Sequence, residues 1–234
     1  MSNNYPVVDV IIPAFNEENS IGKVIDAIPK ELVRHIVVGN NNSTDQTEAV
    51  AKAHGAIVVT QRRRGYGSAC LKAMDWIHRL GPENAPDIAV FMDADFSDHP
   101  EELPQLIEPI TRDGYDLVIG SRATGLAEPG ALTLQQSFGN WLATKLIKWL
   151  YQYDFTDLGP FRAVRYKSLL ALNMKDPDYG WTVEMQVKAA KMKLNCTEIP
   201  VKYRRRIGTS KVSGTVKGTI LAGHKILWTI FKLL

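Results

Sequence analysis

The chain has 234 residues, 45% of them apolar and 23% charged, with a formal net charge of +3. That size and balance exclude a disordered chain and suit one large domain with a full core. No run of about 20 apolar residues predicts a membrane span, and the opening MSNNYPVVDV lacks the basic and apolar regions of a secretory signal.

Residues 7–13, VVDVIIP, are a β-branched apolar run that predicts a first strand closed by Pro13. Ile21, Val24, Ile25 and Ile28 recur at helical spacing over 20–28. Residues 35–39 predict a second strand. Ser43 with Gln46 predicts a capping box for a helix that runs to His54 and stops at Gly55. A third strand follows at 56–60, then a helix at 67–80, a fourth strand at 87–92, a helix to 112 and a fifth strand at 116–120. Strands alternating with helices argue for βαβ units, hence an α/β fold with a mostly parallel sheet and helices on both faces.

From Ser121 the pattern loosens. Residues 123–133 predict a loop, and 135–151 a helix carrying Phe138, Trp141, Leu142, Leu146, Trp149 and Leu150. A strand at 161–164, a helix at 181–191, a last strand at 196–203, a basic loop at 204–214 and a final helix at 215–234 complete the chain. Cys70 and Cys196 lack C-x-x-C or Cys/His spacing and read as buried thiols of a reducing cytoplasm. After Glu198 no acidic residue remains, and the last 36 residues hold eight Lys and Arg. The rest carries 20 basic against 25 acidic residues. A basic end on an acidic body points to an anionic partner, nucleic acid or a phosphorylated lipid surface. On a helical wheel Val216, Ile220, Leu227, Ile230, Phe231 and Leu234 share one face. Lys217, His224, Lys225 and Lys232 lie opposite with Leu221 and Trp228. Trp among lysines suits a headgroup interface; packing within the fold or into a homo-oligomer is the competing explanation.

In an open parallel sheet, ligands bind at the C-terminal ends of the strands. The first exits into Pro13-Ala14-Phe15-Asn16-Glu17-Glu18 and the second into Gly39-Asn40-Asn41-Asn42-Ser43-Thr44-Asp45. The third exits into Arg62-Arg63-Arg64-Gly65-Tyr66-Gly67, cations and a Gly-x-Gly at a helix start, which suits an anion. The fourth gives Asp93-Ala94-Asp95; in extended backbone residues two apart project alike, so the pair presents two carboxylates fit for a hard divalent cation. The fifth gives Gly120-Ser121-Arg122. Each alone is common in solvated loops; together on one rim they gather groups for a nucleoside, phosphates and a metal.

These motifs resemble the family 2 glycosyltransferases of GT-A fold, and within them the polyprenyl-phosphate mannosyl- and glucosyltransferases. P-A-F-N-E-E, N-N-N-S-T-D-Q-T, D-A-D, G-S-R, D-L-G-P-F-R, W-T-V-E-M and R-R-I-G-T-S-K follow in the family's order. The resemblance implies that residues 1–122 bind the nucleotide sugar, 123–214 the acceptor, and 215–234 form an amphipathic helix. Pro13, Ala14, Phe15, Glu17, Asn40 and Asp45 would hold the nucleoside, with Arg64, Gly65, Gly67 and Ala94 beside the donor. Asp93 and Asp95 would bind Mg²⁺ or Mn²⁺. Arg122, Glu184, Arg205, Arg206, Ser210 and Lys211 would face the acceptor. Three departures stand out: Asn40 where the family has an acid, Ser97 where many members have Gln, and no Arg over 133–137.

The implied reaction is inverting transfer of a hexose from a GDP-mannose or UDP-glucose type donor to polyprenyl phosphate, by a cytoplasmic protein peripheral to the inner face of the membrane. A lipid phosphate is already an anionic nucleophile, whereas a sugar hydroxyl requires a general base, for which Asp157 and Glu184 are the candidates. A transferase with a soluble acceptor and a nucleotide-sugar-binding protein without turnover are the alternatives. A nucleic-acid binder is disfavoured, because the basic end comes with an apolar helix and a complete donor rim.

Overall fold

The computed structural model describes residues 5–208 and 216–234. Its strands are β1 (Val8–Ala14), β2 (His35–Asn40), β3 (Ile57–Thr60), β4 (Ile88–Phe91), β5 (Leu117–Ser121), β6 (Arg162–Arg165) and β7 (Cys196–Pro200). They form one sheet in the order β3-β2-β1-β4-β6-β5-β7. All pairings are parallel except those of β6, which runs antiparallel between β4 and β5. Its start therefore lies at the edge where β4 and β5 end. The helices are α1 (Ile21–Ala27), α2 (Thr47–Ala53), α3 (Tyr66–His78), α4 (Leu103–Arg112), α5 (Leu134–Tyr151), α6 (Tyr166–Leu172), α7 (Trp181–Lys191) and α8 (Val216–Lys232).

The β-branched runs are continuous because both faces of the sheet are covered. Val8, Val10 and Ile12 of β1 pack with α1 and α4, while Ile11 packs with α3, α5 and α7 on the other side. Asp9 interrupts the first run at 0% exposure, held by the Arg34 guanidinium at 2.5 Å. Trp181 opens α7 and is buried against Phe91 of β4. Cys70 and Cys196 are buried free thiols.

Several local expectations change. The predicted box of Ser43 and Gln46 is absent: α2 begins at Thr47, whose amide and hydroxyl donate to Asp45. Ser43 Oγ accepts from the Asn16 amide instead, tying the β1 exit to the β2 exit. A capping box does occur at Thr133 and Gln136, opening α5. The Asp93–Asp95 stretch is not extended, because β4 ends at Phe91 and the chain turns through Phe96 with φ 63°. On α8 the packed stripe is Ile226, Thr229, Ile230 and Leu233, against α5 and α7. Phe231 and Leu234, expected on the apolar face, are 48% and 65% exposed, because the helix is rotated to bring Thr229 toward Asp176. The side chains of Val216, Lys217 and Ile220 lie outside the described residues, as does 209–215 of the basic loop.

Candidate active site

The C-terminal rim of the sheet encloses a cleft of about 380 Å³ lined by Pro13, Ala14, Phe15 and Glu17 from the β1 exit, Arg64 to Tyr66, and Asp93 to Asp95. The expected grouping of the first, third and fourth strand exits is therefore present. At the second exit the residue that reaches the cleft is Asn41 rather than Asn40. Asn40 is 3% exposed, and its amide donates to Glu48 and accepts from the Ser43 amide. Asn41 accepts from the Gly65 amide at 2.7 Å and donates to the Arg63 carbonyl at 2.8 Å, fixing the arginine loop. Asp45 organises the loop before α2 and receives the Glu18 amide. The Arg64 guanidinium lies 4.5 Å from the centre of the Phe15 ring, making one wall of the cleft.

Gly65 lines the cleft, and both Gly65 and Gly67 also admit a second stretch of backbone at close range. A Cβ on Gly67 would sit 1.9 Å from the Asp176 carbonyl oxygen, and one on Gly65 2.1 Å from that of Pro177. The Ser68 amide in the first turn of α3 is spent on the Pro177 carbonyl at 2.8 Å. This crossing carries Asp178 and Tyr179 into the cleft, two residues that no motif in the sequence marks.

Asp93 accepts from the Tyr66 hydroxyl at 3.0 Å. Burial, then the neighbouring Asp95 charge, pushes its carboxyl up to about 7. Asp95 accepts from the Ser97 amide and hydroxyl, so Ser97 steadies the carboxylate. Arg206 bridges Asp95 at 3.1 Å and Glu17 at 3.0 Å, linking the chain after β7 to the β1 exit. Asp98 is 2% exposed, accepts from the Asp93 amide, and has one buried oxygen with no partner; burial raises its carboxyl well above the ordinary range. Oxygen donors alone, with the Asp93 and Asp98 carboxyls raised first by burial and then by neighbouring acids, fit a hard divalent cation that completes its shell with phosphate oxygens and water. Among the described residues no cluster of three or more acids, histidines or cysteines could hold a metal by itself.

Next to these carboxylates a second cavity of about 550 Å³ runs between α5 and α8. Phe138, Leu142, Leu158, Ile226 and Leu227 line it, and Arg122, Arg206, Asp93 and Asp95 stand at its inner end. Asp157, delivered just before β6, holds the Arg122 guanidinium through both oxygens at 2.7 and 2.8 Å and also accepts the Arg122 amide. Burial would lower the Arg122 pKa, and the Asp157 charge outweighs it, so the cation is secured. Beneath lies Arg162, 0% exposed, donating to the carbonyls of Leu158, Gly159 and Thr182.

Two expected acceptor residues, Glu184 and Arg205, stand elsewhere. Glu184 is 4% exposed and accepts the amides of Lys175 and Asp176 while pairing with Lys188, so it shapes a turn and has no free lone pair aimed at the cleft. Arg205 donates to the Pro129 carbonyl and its amide goes to Glu128, which fastens the 123–133 loop. Ser210 and Lys211 lie outside the described residues. Asp157 is likewise no open base, since Arg122 occupies both its oxygens.

A model of glycosyl transferase family 2 matches residues 9–172. An uncharacterised glycosyltransferase of Mycobacterium tuberculosis is 36% identical over 219 residues, covering 92% of this chain and 94% of the relative. The undecaprenyl-phosphate mannosyltransferase of Micrococcus luteus is 31% identical over 229 residues, covering 89% and 88%. Among solved structures, glucosyl-3-phosphoglycerate synthase from M. tuberculosis, in complex with Mn²⁺, UDP and phosphoglyceric acid, superposes with a TM-score of 0.76 at 23% identity. That superposition covers 97% of this chain and 78% of the other, and it shows a shared GT-A architecture. With the family match over most of the sheet and the rim motifs gathered on one edge, the chain belongs to glycosyl transferase family 2 and is a glycosyltransferase.

Proposed function

We propose that the protein transfers a hexose from a nucleotide diphosphate sugar to polyprenyl phosphate at a membrane surface. The observation that carries this reading is the apolar groove between α5 and α8 that ends at Arg122, Arg206 and the paired acids. A chain of isoprene units suits such walls, and a phosphate at its head meets two guanidinium groups. In this reading residues 1–122 hold the donor, joined by Asp178, Tyr179 and Arg206, while the rest of 123–214 and α8 hold the acceptor.

Phe15 and Arg64 offer the nucleoside a stacking wall, and Glu17 and Asn41 offer it polar edges. Asp93 and Asp95 would hold Mg²⁺ or Mn²⁺, whose chemistry there is to neutralise the leaving diphosphate. Arg206 would release its carboxylates and turn to the phosphates. Arg122, fixed in place by Asp157 before the reaction begins, would stabilise the negative charge that develops on the leaving diphosphate. A phosphate acceptor needs no proton removed, in keeping with Asp157 being engaged by Arg122 through both oxygens. The acceptor oxygen attacks the anomeric carbon from the side opposite the diphosphate, and the configuration inverts.

Exposed aromatics on the same two helices support a peripheral position at the inner face of the membrane. Trp141, Trp149 and Trp228 are 54%, 70% and 55% exposed, with Lys148 and Lys232 on the same helices. No helix among the described residues is long and apolar enough to cross a membrane. Flotation with anionic liposomes at low salt should carry the protein upward; protein left at the bottom would remove the membrane from this proposal.

Transfer is tested with radiolabelled GDP-mannose and UDP-glucose, Mn²⁺ and polyprenyl phosphate, followed by organic extraction. Label in the organic phase supports the lipid acceptor. Label transferred only to water-soluble phosphates would assign a soluble acceptor, and no transfer would leave a binding protein. The groove has its own test. An added Cβ at Gly139 or Gly223 meets nothing within 4 Å, so Leu at either position fits the fold and intrudes on the groove. Displacing two or three acceptor CH₂ groups, at roughly 0.8 kcal/mol each, should raise the KM for a long polyprenyl phosphate about tenfold or more. Donor affinity, measured by calorimetry, should stay unchanged.

A further inference from the structure

The turn between α6 and α7 touches both the start of α3 and the last helix, α8. Its residues Asp178 and Tyr179 line the donor cleft, and Tyr179 also lines the groove. The turn presses on the start of α3, where Gly65 and Gly67 leave room for it and the Ser68 amide donates to Pro177. On its other side it meets α8. Asp176, 8% exposed, is 2.9 Å from Lys225 Nζ, and the Thr229 hydroxyl lies 3.5 Å from the same oxygen. The second Asp176 oxygen accepts the Asp178 amide at 2.8 Å. A Cβ on Gly180 would come within 2.5 Å of both Asp176 and Thr229, so the approach of α8 is built into this turn.

We propose that Asp176 is a positioning residue through which α8 holds the donor-side turn in place. Lys225 neutralises a nearly buried carboxylate; without it, an uncompensated charge favours opening of the turn toward water. Opening withdraws Asp178 and Tyr179 from the donor cleft and frees the Ser68 amide. Because α8 is also one wall of the groove, occupancy of the groove and of the donor cleft become linked, and the linkage is reciprocal. The groove half of this inference rests on the function proposed above, whereas the contact from Lys225 to the donor cleft stands without it.

The full-length protein is compared with Lys225→Met, Lys225→Arg, Asp176→Asn and the Lys225→Met/Asp176→Asn double variant. Amide hydrogen exchange reads the Ser68 and Asp178 amides, and calorimetry reads UDP-glucose and GDP-mannose with Mn²⁺. Lys225→Met should speed exchange at both amides about tenfold, with strands β1 and β4 unchanged, and weaken the bound nucleotide sugar by a similar factor. Lys225→Arg should behave as the parent, and Lys225→Met should add nothing once Asp176 is Asn. Unchanged exchange at these amides, a uniform rise across the sheet, or additive effects in the double variant would overturn the proposal. Failure of both nucleotide sugars to bind the parent would count against the donor assignment, and the exchange result would still decide the coupling.

Discussion

Asp93→Asn should lower the rate of transfer by about a thousandfold while leaving the protein folded. The amide is nearly isosteric and can still accept from the Tyr66 hydroxyl, which is 3.0 Å from the carboxylate. It removes one of two charges for a cation beside the diphosphate. Stability should move the other way. The Asp93 carboxyl is pushed up to about 7 by burial and by Asp95. A raised acid costs no stability below its unfolded pKa of about 4; the cost grows as pH rises to the folded value and is constant above it. Without divalent cation, the variant should therefore melt above the parent at pH 8, and the gap should narrow as pH falls toward 4. Mn²⁺ should raise the melting temperature of the parent at pH 8 and leave the variant little changed. Undiminished transfer, or an equal Mn²⁺ response in both proteins, would remove Asp93 from the metal site.

Arg122→Gln should cut turnover about a hundredfold or more, and it should also lower the melting temperature. The second effect complicates the first, since Asp157 is 1% exposed and loses its bidentate partner. Adding Asp157→Asn separates them. With both charges gone, no carboxylate is left buried and unpaired, so stability of roughly 3 kcal/mol should return. The rate should not return, because the cation at the inner end of the groove is still missing. Recovery of both rate and melting temperature in the double variant would make the Arg122–Asp157 pair a scaffold with no part in transfer.

Where the sequence falls short, the missing information lies in contacts and phase that local pattern does not carry. Asn40 and Asn41 are neighbours; the first is buried and the second faces the cleft. Side-chain direction reverses from one residue to the next in extended chain, so an error of one position exchanges cleft for interior. At a strand exit no periodic pattern sets that phase. Glu184, expected at the acceptor from the W-T-V-E-M motif, instead closes the turn at Lys175 and Asp176 with its carboxylate. Nothing local showed that the Gly-x-Gly at the start of α3 also admits a crossing backbone.

By itself, the sequence determined the alternation of strands and helices, the order of motifs along one rim, and the Asp93–Asp95 pair as the place where charge collects. These depend on local periodicity and on residue type, which adjacent residues carry in full. Only the tertiary structure decided that β6 runs antiparallel and brings Asp157 to Arg122, that α8 turns Ile226 and Ile230 inward, and that the 176–179 turn crosses α3. Each of those is a contact between segments far apart in the chain. Several pairings satisfy the same local pattern, and packing of the whole selects one.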